Sequence, residues 1–311
     1  MYDVIIIGSG PAGYTAGIYC SRAALKTMLV AGTVDIGGLL ANTTLVENFP
    51  GFPEGVQGPE LMEDMSTQAE KFGTEIKYED ATKLDLRGDI KTVTTDEGTY
   101  QARTVIIATG SGYRTLDIPG EEKHAGHGVS YCATCDGFFF RDQPIMVVGG
   151  GDSAMEEAIF LTHYGSSVTV VHRRDELRAS AVMQANAFAE PKIKFEFNTV
   201  LTSINGTDKV ESVTLKNVET GEEKTVKVGG LFIAAGHLPR TELVKDQLKL
   251  DERGNIVVSS PTTHTSMPGV FAAGDVTDSI YRQAVTAAAS GCRAAIDAER
   301  YMKDQDAKQN I

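Results

Sequence analysis

The chain has 311 residues, with 42 acidic side chains against 29 basic ones, a formal net charge of -13, and a composition 41% hydrophobic and 23% charged. That length suggests about two domains, each able to bury a core, and the composition excludes disordered, collagen-like and coiled-coil chains. The negative balance argues against nucleic acid and anionic membrane surfaces, which bind clustered Lys and Arg. No apolar run approaches the roughly 18 residues of a spanning helix. The opening MYDVIIIGSG enters a strand pattern with no basic region before it, so no signal peptide is expected. Four cysteines are too few for a secreted disulfide framework, and a cytoplasmic setting is expected.

In chain order, the apolar run at residues 4–7 meets Gly8-Ser9-Gly10-Pro11-Ala12-Gly13. A small-residue helix and a second buried strand at 27–30 follow, which makes one βαβ unit. In such a turn the first glycine permits the bend, the second lets backbone approach a pyrophosphate, and the third allows helix and strand to pack closely. The acid expected about 20 residues on falls near Ala31 and Gly32, and Asp35 is the nearest candidate.

The same grammar returns about 140 residues later. A strand at 144–148 runs into Gly149-Gly150-Gly151-Asp152-Ser153-Ala154, then a helix, then a strand at 167–171. Each half also holds a later apolar strand ending at glycine, near 104–110 and 231–236. Two dinucleotide-binding units are the expected architecture: an α/β fold of Rossmann-like, three-layer domains. A further strand at 269–273 and a helix from about Arg282 to Arg300 are too short for a third domain. They are expected to complete the first, giving residues 1–115 plus 241–311 interrupted by 116–240, with partly exposed short strands near 75–83, 92–95, 194–197 and 210–215.

The second strand end carries His172-Arg173-Arg174, with Arg178 one turn on. A 2′-phosphate needs positive charge where a 2′-hydroxyl needs a carboxylate, so these arginines favour NADPH; the alternative is a solvated basic face. Cys132-Ala133-Thr134-Cys135 has the spacing of a redox disulfide or of half a zinc site. Cys20 and Cys292 stand alone in helical patterns and are expected to be small buried side chains, and no metal site is expected. Asp136 is a candidate general acid/base beside the pair, or a helix N-cap. Phe138, Phe139 and Phe140 include at least one expected core residue.

GSGPAG, VENFPG, ATG, CATCDG, GGGDSAMEEA, HRRDELRA and GDVTDSIYRQA stand here in a fixed order. Through them, and over essentially its whole length, the chain resembles the low-molecular-weight, bacterial-type, NADPH-dependent thioredoxin reductase family. The resemblance implies a homodimeric flavoprotein passing electrons from NADPH to FAD, to a Cys132–Cys135 disulfide and to thioredoxin, with a large rotation of the inserted domain. It implies FAD contacts at Gly8, Ser9, Gly10, Pro11, Ala12, Gly13, Gly37, Gly38, Leu40, Asn48, Ala108, Thr109, Gly110 and Gly274. Asp275 would meet the ribityl chain, and Arg282, Gln283 and Ala284 the pyrimidine end of the flavin. It implies NADPH contacts at Gly149, Gly151, Asp152, Ser153, Ala154, His172, Arg173, Arg174 and Arg178, and thioredoxin docking at His127, Phe138 and Phe139. Leu39 stands where the family commonly has Gln, and His127 where it often has Arg. Rivals are a peroxiredoxin-system reductase, a thiol oxidase without need of the arginines, and a non-catalytic flavoprotein sensor.

Overall fold

The computed structural model describes residues 1–309. They divide into two compact units, Met1–Gly112 with the segment from Leu238 onward, and Tyr113–His237. The strands Ser111–Tyr113 and His237–Pro239, where the chain passes from one unit to the other, pair with each other.

In the first unit the strands run in the order Glu75–Lys77, Thr27–Val30, Tyr2–Ile7, Thr99–Ile107, Lys91–Thr95, Ala81–Asp85, and Val270–Ala272 also pairs with Thr99–Ile107. Tyr2–Ile7 is parallel to both neighbours, with Ile5 opposite Met28 and Val105. Successive strand residues face opposite sides, and both sides here are covered, which is why the strand reads as an unbroken apolar run. Val4, Ile6, Leu29, Ile106 and Phe271 pack with residues of the helices Pro11–Arg22, Gly58–Lys71 and Ala284–Gln309. Ile5, Ile7, Met28 and Val105 pack instead with Leu84 and Val93 of the antiparallel arm and with Val244, Leu248 and Ile256.

The inserted unit repeats this plan. Its sheet is parallel, in the order Val129–Ser130, Gly230–Ile233, Pro144–Val148, Ser167–Val171, Ile193–Glu196. Val147, Val168 and Phe232 pack with the helices Asp152–Leu161 and Ala181–Ala189. Met146, Val171 and Leu231 pack with the antiparallel sheet of Thr199–Asn205, Ser212–Asn217 and Glu223–Lys227. Both units are thus Rossmann-like and three-layered, but one outer layer is antiparallel sheet or irregular chain rather than helix.

Three local expectations shift. The last helix begins at Ala284, not at Arg282, whose φ of 47° keeps it outside the helix. The strand expected at 210–215 forms over Ser212–Asn217. Cys20 is buried, but Cys292 is half-exposed. Among the described residues no helix is long and apolar enough to cross a membrane, and no group of His, Cys, Asp and Glu could hold a metal ion.

Candidate functional site

The first glycine turn joins the strand Tyr2–Ile7 to the helix Pro11–Arg22. Gly8 has φ +112°, and any side chain there would strike the Ala108 carbonyl. A Cβ on Gly13 would collide with the Gly8 carbonyl, whereas one on Gly10 would meet nothing within 4 Å. Gly10 is the N-cap, and no side chain caps the helix behind it. Uncapped first-turn N–H groups beside bare backbone make a site for an anion such as a pyrophosphate. Pro11 opens the helix, and Ala12 is buried against Gly274 and Gly291 of the chain's return. The buried Ser9 hydroxyl donates to Ala31 O and accepts from Gly37 N, so its side chain ties the turn to the Gly37–Gly38 bend. A Cβ on Gly38 would come within van der Waals reach of Gly10, and Leu40 follows in a short 3-10 turn.

Residues from distant parts of the chain gather in this unit. The Thr109 hydroxyl donates to Arg240 O, and Arg240 N donates to Gly110 O. Asn48 Nδ2 donates to Gln283 Oε1 at 3.4 Å. Asp278 accepts from the N–H groups of Ile280, Tyr281 and Arg282, shaping the bend that delivers Gln283 and Ala284 to the start of the last helix. The Asp275 carboxyl is raised to about 6 by burial and then by Asp278, against the Ser111 hydroxyl and Arg282. A carboxyl in that state can accept from or donate to a ligand hydroxyl, which fits a ribityl chain. Asp35 is engaged elsewhere: it pairs with Arg240 Nη2 at 3.0 Å and accepts from Asn42. The acid beside Gly32 is Asp80, which accepts from Thr33 N and Thr33 Oγ. It lies far beyond the 20-residue spacing, so the spacing rule could not find it.

In the inserted unit the second turn leads from Pro144–Val148 into the helix Asp152–Leu161, again with a glycine N-cap, Gly151, and no side-chain cap. A Cβ on Gly149 would strike the buried Ala154 and the Ala234 carbonyl, and one on Gly150 the His172 ring. Asp152 accepts from Ser180 N, while Ser153 is exposed. The peptide after the arginines folds back on the turn, with Arg178 N and Ala179 N both donating to Gly150 O. Arg173, Arg174 and Arg178 remain exposed at this strand end. His172 is 6% exposed, and its Nε2 has no hydrogen-bond partner among the described residues. Burial holds its imidazole below the usual range, with the three arginines adding to the effect and the Glu176 backbone opposing it. An uncapped helix start, an orphaned imidazole nitrogen and three exposed guanidinium groups fit a dinucleotide carrying an extra phosphate.

Cys132 and Cys135 of the same unit form a disulfide with Cα atoms 5.3 Å apart. Cys132 is the N-cap of the short helix Ala133–Asp136, and both Cys135 N and Asp136 N donate to its carbonyl. That pairing leaves no half zinc site. Ser130, which the sequence did not single out, accepts from Cys132 N and donates to Cys132 O. Cys135 is exposed and Cys132 half-buried. Asp136 ends this helix and stands at the N-cap position of the 3-10 turn Gly137–Phe140, without a side-chain cap bond; burial pushes its carboxyl up, and the Ser130 hydroxyl opposes the shift. A carboxyl so raised can hold a proton closer to neutral pH than an exposed one. Phe138 and Phe139 are 48% and 40% exposed, and Phe140 packs edge-on against the buried Phe232, so one of the three is core. Arg141 lies over the Phe138 ring at 4.5 Å. His127 is exposed, with Nδ1 near Ala125 O.

A family model for pyridine nucleotide-disulphide oxidoreductases matches residues 2–291. A thioredoxin reductase of Streptomyces clavuligerus is 58% identical over 96% of this chain and 94% of its own length. One of Mycolicibacterium smegmatis is 56% identical over 98% of both chains. The crystal structure of thioredoxin reductase from Streptococcus pyogenes MGAS5005 superposes with a TM-score of 0.93 at 46% identity, covering 98% of this chain and 99% of that one. With two glycine turns, an arginine-rich strand end and a disulfide at a helix start already in place, these likenesses decide the assignment: the chain belongs to the pyridine nucleotide-disulphide oxidoreductase family, within its bacterial-type thioredoxin reductases.

Proposed function

We propose that the protein is an NADPH-dependent thioredoxin-disulfide reductase, with FAD held by the first unit and NADPH by Tyr113–His237. A bound FAD would supply the two-electron chemistry that links hydride transfer from NADPH to reduction of a disulfide. Gly10 and the uncapped helix start behind it would take the FAD pyrophosphate, Asp275 the ribityl hydroxyls, and Gln283 with Asn48 the flavin end. Gly151, Arg173, Arg174 and Arg178 would hold the NADPH phosphates.

The Cys132–Cys135 disulfide takes two electrons and two protons to become a dithiol, with Asp136 as the proton-holding group. One thiolate attacks a sulfur of oxidised thioredoxin, and the second cysteine resolves the mixed disulfide, which restores the starting bond and releases reduced thioredoxin. His127, Phe138 and Phe139 are the proposed docking residues, supported by the exposure of all three. The inserted unit would pivot on its two crossings between half-reactions. A cytoplasmic homodimer is the setting this reading implies.

The observation that carries the reading is the disulfide's presence in the same unit as the second glycine turn and its arginines. NADPH oxidation with and without thioredoxin, compared with NADH, tests it. The expected result is thioredoxin-dependent turnover with a clear NADPH preference, and a Cys135→Ser variant whose flavin is still bleached by NADPH but which reduces no thioredoxin. A colourless protein that takes up no flavin on reconstitution would end the proposal.

A further inference from the structure

The inserted unit begins at Tyr113 and ends at His237, and the rings of these two residues meet edge-on with centroids 5.0 Å apart. Tyr113 also stacks with Tyr131, at 4.8 Å between centroids with planes 13° apart. Tyr131 immediately precedes Cys132. A column of three rings therefore joins the first residue of the unit, its last residue, and the residue next to the disulfide.

A second connection runs beside the column. The Tyr131 hydroxyl donates to Glu121 Oε1 at 2.8 Å, and Leu116 N donates to the same carboxylate, 3.0 Å from Oε2. Glu121 is 3% exposed, so these bonds are made away from bulk water, where they are strongest. Arg114 N donates to Gly236 O at 2.9 Å, fastening the entering peptide to the leaving one. Beyond Tyr131, Ser130 lies in the sheet opposite Phe232, and its hydroxyl holds both Cys132 N and Cys132 O. Packed rings and hydrogen bonds thus lead from the crossings to Tyr131, and its peptide bond, braced by the Ser130 hydroxyl, leads on to Cys132.

We infer that Tyr131, held by Tyr113 and Glu121, is a positioning residue that fixes the Cys132–Cys135 disulfide to the two crossing peptides, so that disulfide and crossings move as one piece. Tyr131 acts through the backbone of Cys132 and takes no part in bond making. The inference rests on the disulfide being the electron acceptor. Its physical basis is that electron delivery to a sulfur–sulfur bond depends on approach geometry, and small misplacements of a reacting group cost rate steeply.

The experiment uses the FAD-loaded protein with Tyr131→Phe, which keeps the ring and loses the bond to Glu121, and Tyr113→Leu, which removes the stack. Rapid-mixing kinetics should show flavin reduction by NADPH at the unaltered rate, and ferricyanide, which draws electrons at the flavin, should be reduced as before. The kcat for thioredoxin should fall about tenfold with its KM unchanged. Amide hydrogen exchange should quicken together in residues 113–118 and 129–135. An unchanged kcat in both variants would overturn the inference. So would an equal loss with ferricyanide, which marks general damage, or a raised KM at unchanged kcat, which marks docking. A Cys135→Ser protein that still reduced thioredoxin would instead remove the electron-acceptor reading itself, a separate and recognisable failure.

Discussion

Asn48 and Gln283, 235 positions apart in the chain, meet through a hydrogen bond from Asn48 Nδ2 to Gln283 Oε1. The contact joins the loop after the 3-10 turn to the peptide that starts the last helix. Gln283→Leu removes the acceptor and leaves Asn48 to water. A hydrogen bond of about 1 kcal/mol net corresponds to about fivefold in affinity. We expect FAD to dissociate about fivefold more readily, seen as free-flavin fluorescence on dilution, with NADPH affinity unchanged.

Gly10 and Gly13 share a motif but should respond oppositely to a methyl group. A Cβ on Gly13 strikes the Gly8 carbonyl, and backbone cannot give way as a side-chain end can. Gly13→Ala should destabilise the flavin-free protein by about 1–3 kcal/mol, the usual scale of overpacking. Gly10→Ala finds open space and an ordinary φ of -72°. It should leave flavin-free stability within about 0.5 kcal/mol of the parent while weakening FAD binding. Urea unfolding and flavin titration on both variants separate the two effects.

Asp275 gives the flavin-free protein a pH signature. Its folded carboxyl titrates at about 6 instead of 3.8, so between those values the folded state keeps a proton that the unfolded chain has lost. Stability should therefore fall as pH rises from about 4 to about 6, by roughly 2–3 kcal/mol, and then level off. Asp275→Asn carries no such proton and should flatten that part of the curve. Thermal unfolding from pH 4 to 7 is the check, and equal slopes in both proteins would count against it.

Arg173 and Arg174 lie exposed beside the second glycine turn, free to meet a phosphate. Losing one charge-assisted bond costs about 1.5–3 kcal/mol, or roughly ten- to a hundredfold in binding. Arg173→Ala and Arg174→Ala should each raise the KM for NADPH by that order and leave the KM for NADH nearly unchanged. Kinetics with the two nucleotides side by side would show it.

Much of this was readable from residue order because local rules carry it. The two glycine turns need a strand before and a helix after, and apolar runs at 4–7 and 144–148 supply the strands. The CxxC spacing restricts the pair to a few chemistries whatever surrounds it. What escaped was set by tertiary packing. No spacing rule links Asp80 to the end of the second strand, or Tyr131 to Tyr113 and Glu121. Ser9 belongs to a recognisable motif, yet its side chain serves Ala31 and Gly37, which only the folded loop brings near. Arg282 lay inside a helical pattern, but Asp278 captures its N–H and delays the helix by two residues.

The strand Val270–Ala272 pairs with Thr99–Ile107, and the helix that follows packs chiefly on Pro11–Arg22, sharing a core with Val4, Ile6 and Ile106. A ribosome making this protein releases those early strands long before the segment that shelters them. Until that later segment emerges, the part of this core built from Phe271, Ala294 and Ala298 is missing and the early strands and helices stay partly uncovered, while the inserted unit is compact, with cores of its own. The nascent chain should thus mature middle first, and chaperones that shield apolar surface should associate with it for most of its time in translation.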